Sequence, residues 1–169
     1  MIKVTIEENK IIAAAEEGMD AFVQVFVDAI MDTIGGELTA EAMAKLNSDQ
    51  ITLLAYSILR EEMMDGGMVQ LIHNGYGGFI FRNPFDKALI AWGMDDLARI
   101  IKKGRWAYFK HQEEIEIECT DDEFMAMFER MPEFDDLDDA FVQDEERFTA
   151  MVACYIDEHV SAFAEVKNE

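Results

Sequence analysis

From Ala21 to Phe163 apolar residues recur three and four positions apart, and only two prolines, Pro84 and Pro132, stand in the 169-residue chain. That period belongs to α-helices with one buried face, and so little proline leaves them few interruptions. The stretch AFVQVFVDAIMDTIGG sets Phe22, Val23, Phe26, Ala29, Ile30 and Ile34 on one stripe, closed by Gly35-Gly36. Thr39 to Leu46 reads as a short second helix. Ser48 is the expected N-cap of a third, whose stripe is Ile51, Leu54, Ala55, Ile58 and Leu59. Asn83-Pro84 reads as a cap followed by proline at the first helical position, opening a helix through Ala88, Leu89 and Trp92. Another helix carries Leu97, Ile100 and Ile101. Thr120 and Glu123 form a capping box ahead of Phe124, Met127, Phe128 and Met131. A last long helix follows Pro132, with Phe141, Phe148, Val152, Tyr155 and Phe163 facing inward. Two stretches alternate instead, Ile2-Val4-Ile6 and Ile115-Ile117-Cys119, and read as short strands paired with each other. The expected fold is mainly α, an irregular multi-helix bundle with one short two-stranded β pair.

Half of the residues are hydrophobic, twelve Phe and twelve Met among them, which favours a packed globule over a disordered acidic tail. The length suits one domain, residues 1–169. Within it, 1–15 reads as an extension or strand, 16–110 as a helical core and 111–169 as a strongly acidic helical part. No apolar run reaches the roughly 18 residues of a membrane span. The opening MIKVTIEENK lacks the apolar stretch of a secretion signal, so a cytoplasmic protein is expected. Cys119 and Cys154 lie in separate segments and are expected to be reduced core thiols.

The charge is the unusual quantity: 14 basic against 36 acidic residues, a net −22. Residues 1–60 carry −6, residues 61–110 carry +1 and residues 111–169 carry −17. Such a surface repels nucleic acid and anionic membranes and attracts basic proteins or cations.

The glycine-rich stretch DGGMVQLIHNGYGG, residues 65–78, invites comparison with phosphate-binding loops. A P-loop needs Gly-Lys-Ser/Thr after its glycines, and a dinucleotide fingerprint needs a strand before them. Neither pattern is present, and Glu61, Glu62 and Asp65 would repel an anion. The structural reading is that Gly66-Gly67 ends one helix, MVQLIHN forms a short one and Gly75 supplies its closing turn. His73, His111 and His159 show no metal-ligand spacing. His159 lies on an apolar face and is expected in the core. FDDLDDAF has acids but no turn glycine or closing glutamate, so it is no EF-hand. No catalytic constellation, metal site or cofactor is expected.

The acidic third is the candidate working surface. Sixteen acids and one base, Arg130, occupy residues 113–146. On a helix, carboxylates three or four positions apart stand about 5 to 6 Å from each other, and duplex DNA sets a phosphate about every 3.4 Å along each strand. A rigid helical surface studded with carboxylates therefore approximates phosphate density. The expected partner-binding residues are Asp121, Asp122, Glu129, Asp135, Asp136, Asp138, Asp139, Glu145 and Glu146. A basic stripe, Arg99, Lys102, Lys103, Arg105 and Lys110, is expected to pair with these acids within the molecule or across a dimer.

One set of residues carries a family likeness. Glu62, Gly66, Gly67, Gln70 and Asn74 in the spacing E-x-x-x-G-G-x-x-Q-x-x-x-N come first. Ala88-Leu89 and Trp92-Gly93 follow, and then Tyr155-Ile156, His159 and Phe163. The whole resembles the DNA-mimic protein family of small acidic bacterial helical proteins, over residues 50–165. The resemblance implies an α-helical dimer whose acidic surface imitates DNA and occupies a DNA-binding protein. With the charge and the missing catalytic constellation, the expectation is a non-enzymatic protein that binds a basic partner and touches neither nucleic acid nor membrane. Two alternatives are an immunity or antitoxin-like inhibitor of one basic toxin, and a small enzyme or ligand-binding domain built on Gln70, His73 and Asn74.

Overall fold

The computed structural model describes residues 1–168 and is mainly α-helical, with one two-stranded sheet among the described residues. The chain divides into two compact units, residues 1–54 with 146–169 and residues 55–145. Both divisions fall inside helices, α4 (Ser48–Asp65) and α9 (Asp135–Glu158).

The first unit begins with β1 (Thr5–Glu7), α1 (Glu8–Glu17), α2 (Met19–Thr33) and α3 (Ala40–Met43), followed by the start of α4. The end of α9, α10 (Val160–Phe163) and β2 (Glu165–Lys167) complete it. β1 and β2 run parallel with Ile6 opposite Val166. Val4 and Ile6 are buried while Lys3 and Glu7 face water, the two-residue alternation of a strand with one covered face. The first expected strand is therefore present, but its partner is not residues 115–119. Ile115 instead closes the inward stripe Leu97, Ile101, Tyr108 and Ile115 of α7, so a helix claims it, and Ile117 beyond the helix end is exposed. The stripe read on α2 is buried at Val23, Phe26 and Ile30, and Phe26 meets Phe22 and Phe163 edge to face.

Helix ends follow local chemistry. Thr39 Oγ1 accepts the Ala42 N–H at 3.0 Å. At α4 the cap is Asn47, one residue before the expected Ser48. Its Oδ1 accepts the Gln50 N–H at 2.8 Å while Gln50 Oε1 accepts the Asn47 N–H at 3.0 Å. This reciprocal pair satisfies two otherwise orphaned donors. Both side chains also donate to the carbonyls of Ala162 and Phe163, which ties the start of α4 to the α10 region. α9 stops at Glu158, so His159 lies outside it and is exposed, not in the core. Its ring stacks on Tyr155 at 4.0 Å, and its Nδ1 donates to the Tyr155 carbonyl.

The second unit holds the rest of α4, α5 (Met68–His73), a π-helical turn (Gly78–Arg82), α6 (Phe85–Ala91) and α7 (Asp95–Ile115). α8 (Asp121–Arg130), a 3-10 turn (Pro132–Phe134) and the start of α9 follow. α7 is its central strut, packed against α5, α6 and both short turns. Gly104 allows this: a Cβ there would stand 2.8 Å from the Phe81 ring and 3.0 Å from the Met68 side chain. The expected cap at Asn83 is absent. Its amide donates to the Phe79 carbonyl, and Pro84 takes the cap position itself. The Thr120 cap is as expected, with Oγ1 accepting the Glu123 N–H. Neither cysteine is a core thiol: Cys119 is half-buried and Cys154 exposed, both unbridged.

Candidate partner-binding surface

The glycine-rich stretch is structural. α4 ends as the Gly66 and Gly67 N–H groups both donate to the Glu62 carbonyl. Gly67 adopts φ +90°, and the Asp138 carboxylate fills the space where a Cβ would stand. The Glu62 carboxylate accepts from Gln70 Nε2 at 3.0 Å and from Asn74 Nδ2 at 3.0 Å. The spaced motif Glu62, Gly66, Gly67, Gln70 and Asn74 is thus one hydrogen-bonded clamp that folds α5 back on the end of α4. His73 Nδ1 donates to the Ile115 carbonyl at 2.8 Å, and its ring lies on Phe124. Gln70, His73 and Asn74 are all engaged in holding the unit together.

The acids of α8 and α9 divide by helix face. On α8, Met127 is buried while Asp121, Asp122 and Glu129 are exposed. On α9, Leu137, Phe141, Phe148 and Val152 form the buried stripe, and Asp135, Asp136, Asp139 and Glu146 are exposed away from it. Asp135 and Asp139 are one helical turn apart, about 6 Å along the axis. Arg130 and Arg147 are the only cations of the two helices, and Arg147 lies over the Phe148 ring at 5.1 Å.

Two expected surface residues are placed differently. Glu145 falls on the buried stripe and is ion-paired with Arg60 of α4. Asp138 is turned toward α5, where its Oδ1 accepts the Met68 N–H at 2.9 Å and caps that helix. Burial pushes the Asp138 carboxyl up to about 6; the Met68 N–H opposes this, and the neighbouring Asp135 and Asp139 charges reinforce it. Glu145's place follows from its spacing to Phe141 and Phe148. For Asp138 no local signal existed, because the amide it caps is seventy residues away.

A further acidic row had no part in the sequence reading. Asp20, Asp28 and Asp32 are exposed on α2 of the first unit, with Gln24 donating to Asp28 between them. The basic stripe of α7 pairs with the acids only in part. Lys110 Nζ lies 2.8 Å and His111 Nε2 2.9 Å from Glu133 Oε1. Lys110 and His111, donating to Glu133, lower its carboxyl to about 2. Arg105 is committed to Asp86: burial works to raise that carboxyl, but Arg105, the Lys87 N–H and Lys102 together hold it below the ordinary value.

Among the described residues no three His, Cys, Asp or Glu side chains converge as metal ligands would. No described helix is long and apolar enough to cross a membrane.

Comparison with known proteins shows a family. The sequence model of the DMP19-like protein family matches residues 44–159, which include the Glu62 clamp, α7, α8 and all of α9. The chain is 31% identical over 127 residues to the DNA mimic protein DMP19 of Neisseria meningitidis serogroup B, covering 75% of this chain and 77% of that one. With the family model matching residues 44–159 and three quarters of its length aligned to that relative, the chain belongs to the DMP19-like protein family.

Proposed function

We propose that this protein is a non-enzymatic DNA mimic that works in the cytoplasm by occupying the DNA-binding surface of a basic protein. The observation that carries the reading is the row of exposed carboxylates on ordered helices, Asp121, Asp122 and Glu129 on α8 and Asp135, Asp136 and Asp139 on α9. α9 then continues to the exposed Glu146. Kinship with a protein named for DNA mimicry supports it. Helices fix these charges in place, so a groove preorganised for phosphates meets a preorganised array in return. Asp138 and Glu145 serve the surface indirectly, the first by seating α5 and the second by fixing α9 on Arg60.

Association of this kind is steered by the acidic field and weakens steeply with salt. The test is a variant with Asp135→Asn, Asp136→Asn, Asp139→Asn and Glu146→Gln, four exposed positions whose loss of charge leaves the core intact. Partner affinity at low salt is expected to fall by about tenfold or more, with a flatter salt dependence. Unchanged affinity in a folded variant contradicts the proposal.

A further inference from the structure

The outer face of α7 is an exception in a chain of net charge −22. Arg99, Lys102, Lys103, Trp106 and Lys110 are all exposed and recur at three- and four-residue spacing on one side of the helix. Trp106 is 80% exposed at the centre of the cations, and Phe109 beside it is 47% exposed. Large aromatics this open are rare on a surface that stays in water, and exposed Trp and Arg are the residue types that dominate interface energies. Arg99 and Lys110 have carboxylate neighbours, Asp96 at 3.6 Å and Glu133 at 2.8 Å. Lys102 and Lys103 have no ion pair among the described residues. Phe109 also lines an open pocket of about 400 Å³ with Phe81, Arg82, Lys87, Arg105 and the Asp86 that Arg105 pairs, three cations against one acid. The pocket extends the same cationic and aromatic character sideways.

We propose that this face is a docking surface, separate from the carboxylate rows, for a short acidic segment of another protein. Its carboxylates meet Lys102 and Lys103, and an apolar side chain packs on Trp106 and Phe109. Charge complementarity selects an anionic occupant, and the limits of the face select a short one. From Arg99 to Lys110 the cations span about 16 Å of helix. The same side then turns acidic at both ends, with Asp95 and Asp96 before the cations and Glu113 and Glu114 after them. A uniform polyanion such as nucleic acid would run past the cations into these carboxylates. A protein segment with a few acids grouped around one apolar residue fits the whole pattern.

The test uses a fluorescein-labelled helical peptide of about fifteen residues, with glutamates three and four apart around one leucine, read by anisotropy at low salt. Its Glu→Gln twin and an oligothymidylate of similar length are the comparison probes. The acidic peptide is expected to bind, and about tenfold more weakly to Lys102→Glu/Lys103→Glu and to Trp106→Ala. The peptide's twin should also lose about tenfold. The buried Trp92 gives an emission check that the variants are folded. The proposal is overturned if the peptide does not bind, if it binds the α7 variants as it binds the parent, or if oligothymidylate binds more tightly. It is equally overturned if light scattering shows a dimer that Trp106→Ala dissociates, since a second copy would then own the face.

Discussion

Replacing Asp138 by asparagine should stabilise the protein, and the gain should depend on pH. In the folded chain this carboxyl, buried and flanked by Asp135 and Asp139, ionises near 6, against an ordinary 3.8. Between those values the folded protein keeps a proton that the unfolded chain has released. Stability therefore falls as pH rises through that window and levels off above it. The gap corresponds to about 3 kcal/mol. Relaxation around the site returns part of it, so we expect a realised effect of about 1 to 2 kcal/mol. An asparagine is neutral throughout, and its Oδ1 still accepts the Met68 N–H that Asp138 now caps. Urea unfolding followed by far-UV circular dichroism should show parent and Asp138→Asn nearly equal at about pH 3, and the variant ahead by that amount at about pH 7.5. The same difference at both pH values, or a variant weaker at the higher one, would refute the burial of this carboxylate.

Two other substitutions test the frame around the acidic rows. Gly67→Ala forces a side chain into φ +90° and into the Asp138 carboxylate, and should cost about 2 to 3 kcal/mol in the same assay. Glu145→Ala strips Arg60 of its buried partner and should cost about 2 kcal/mol, whereas removing the exposed Asp139 carboxylate should change stability by less than about 0.5 kcal/mol.

Much of the helical layout was legible because it is local. The stripe on α2, the Thr120 capping box and the short helix between Gly67 and Gly75 each follow from residues within a few positions of one another. Some errors fall where a distant partner decides, others where a close neighbour takes the expected role. β1 pairs with a strand from the other end of the chain, which no local alternation reveals. Ile115 and Ile117 alternate like a strand, yet the seven-residue return from Tyr108 to Ile115 makes the first a helix residue. Ser48 lost the cap to Asn47 because Asn47 and Gln50 satisfy each other's N–H groups as well as the carbonyls near α10. The candidate surface shows the same division. Exposure of Asp121, Asp122, Glu129, Asp135, Asp136, Asp139 and Glu146 follows from the helical period. Glu145 was equally legible, since it stands on the Phe141 and Phe148 stripe. Asp138 was not: its role depends on Met68, brought beside it only by the fold.

The most direct test of mimicry is competition. The protein, immobilised at low salt, should capture its partner from the native cell lysate, and duplex DNA should then be titrated over the complex. If the carboxylate rows occupy a DNA-binding groove, DNA releases the partner, and the released protein binds duplex DNA on its own. A partner that stays bound at saturating DNA, with the acidic protein and the duplex held together, would contradict the account.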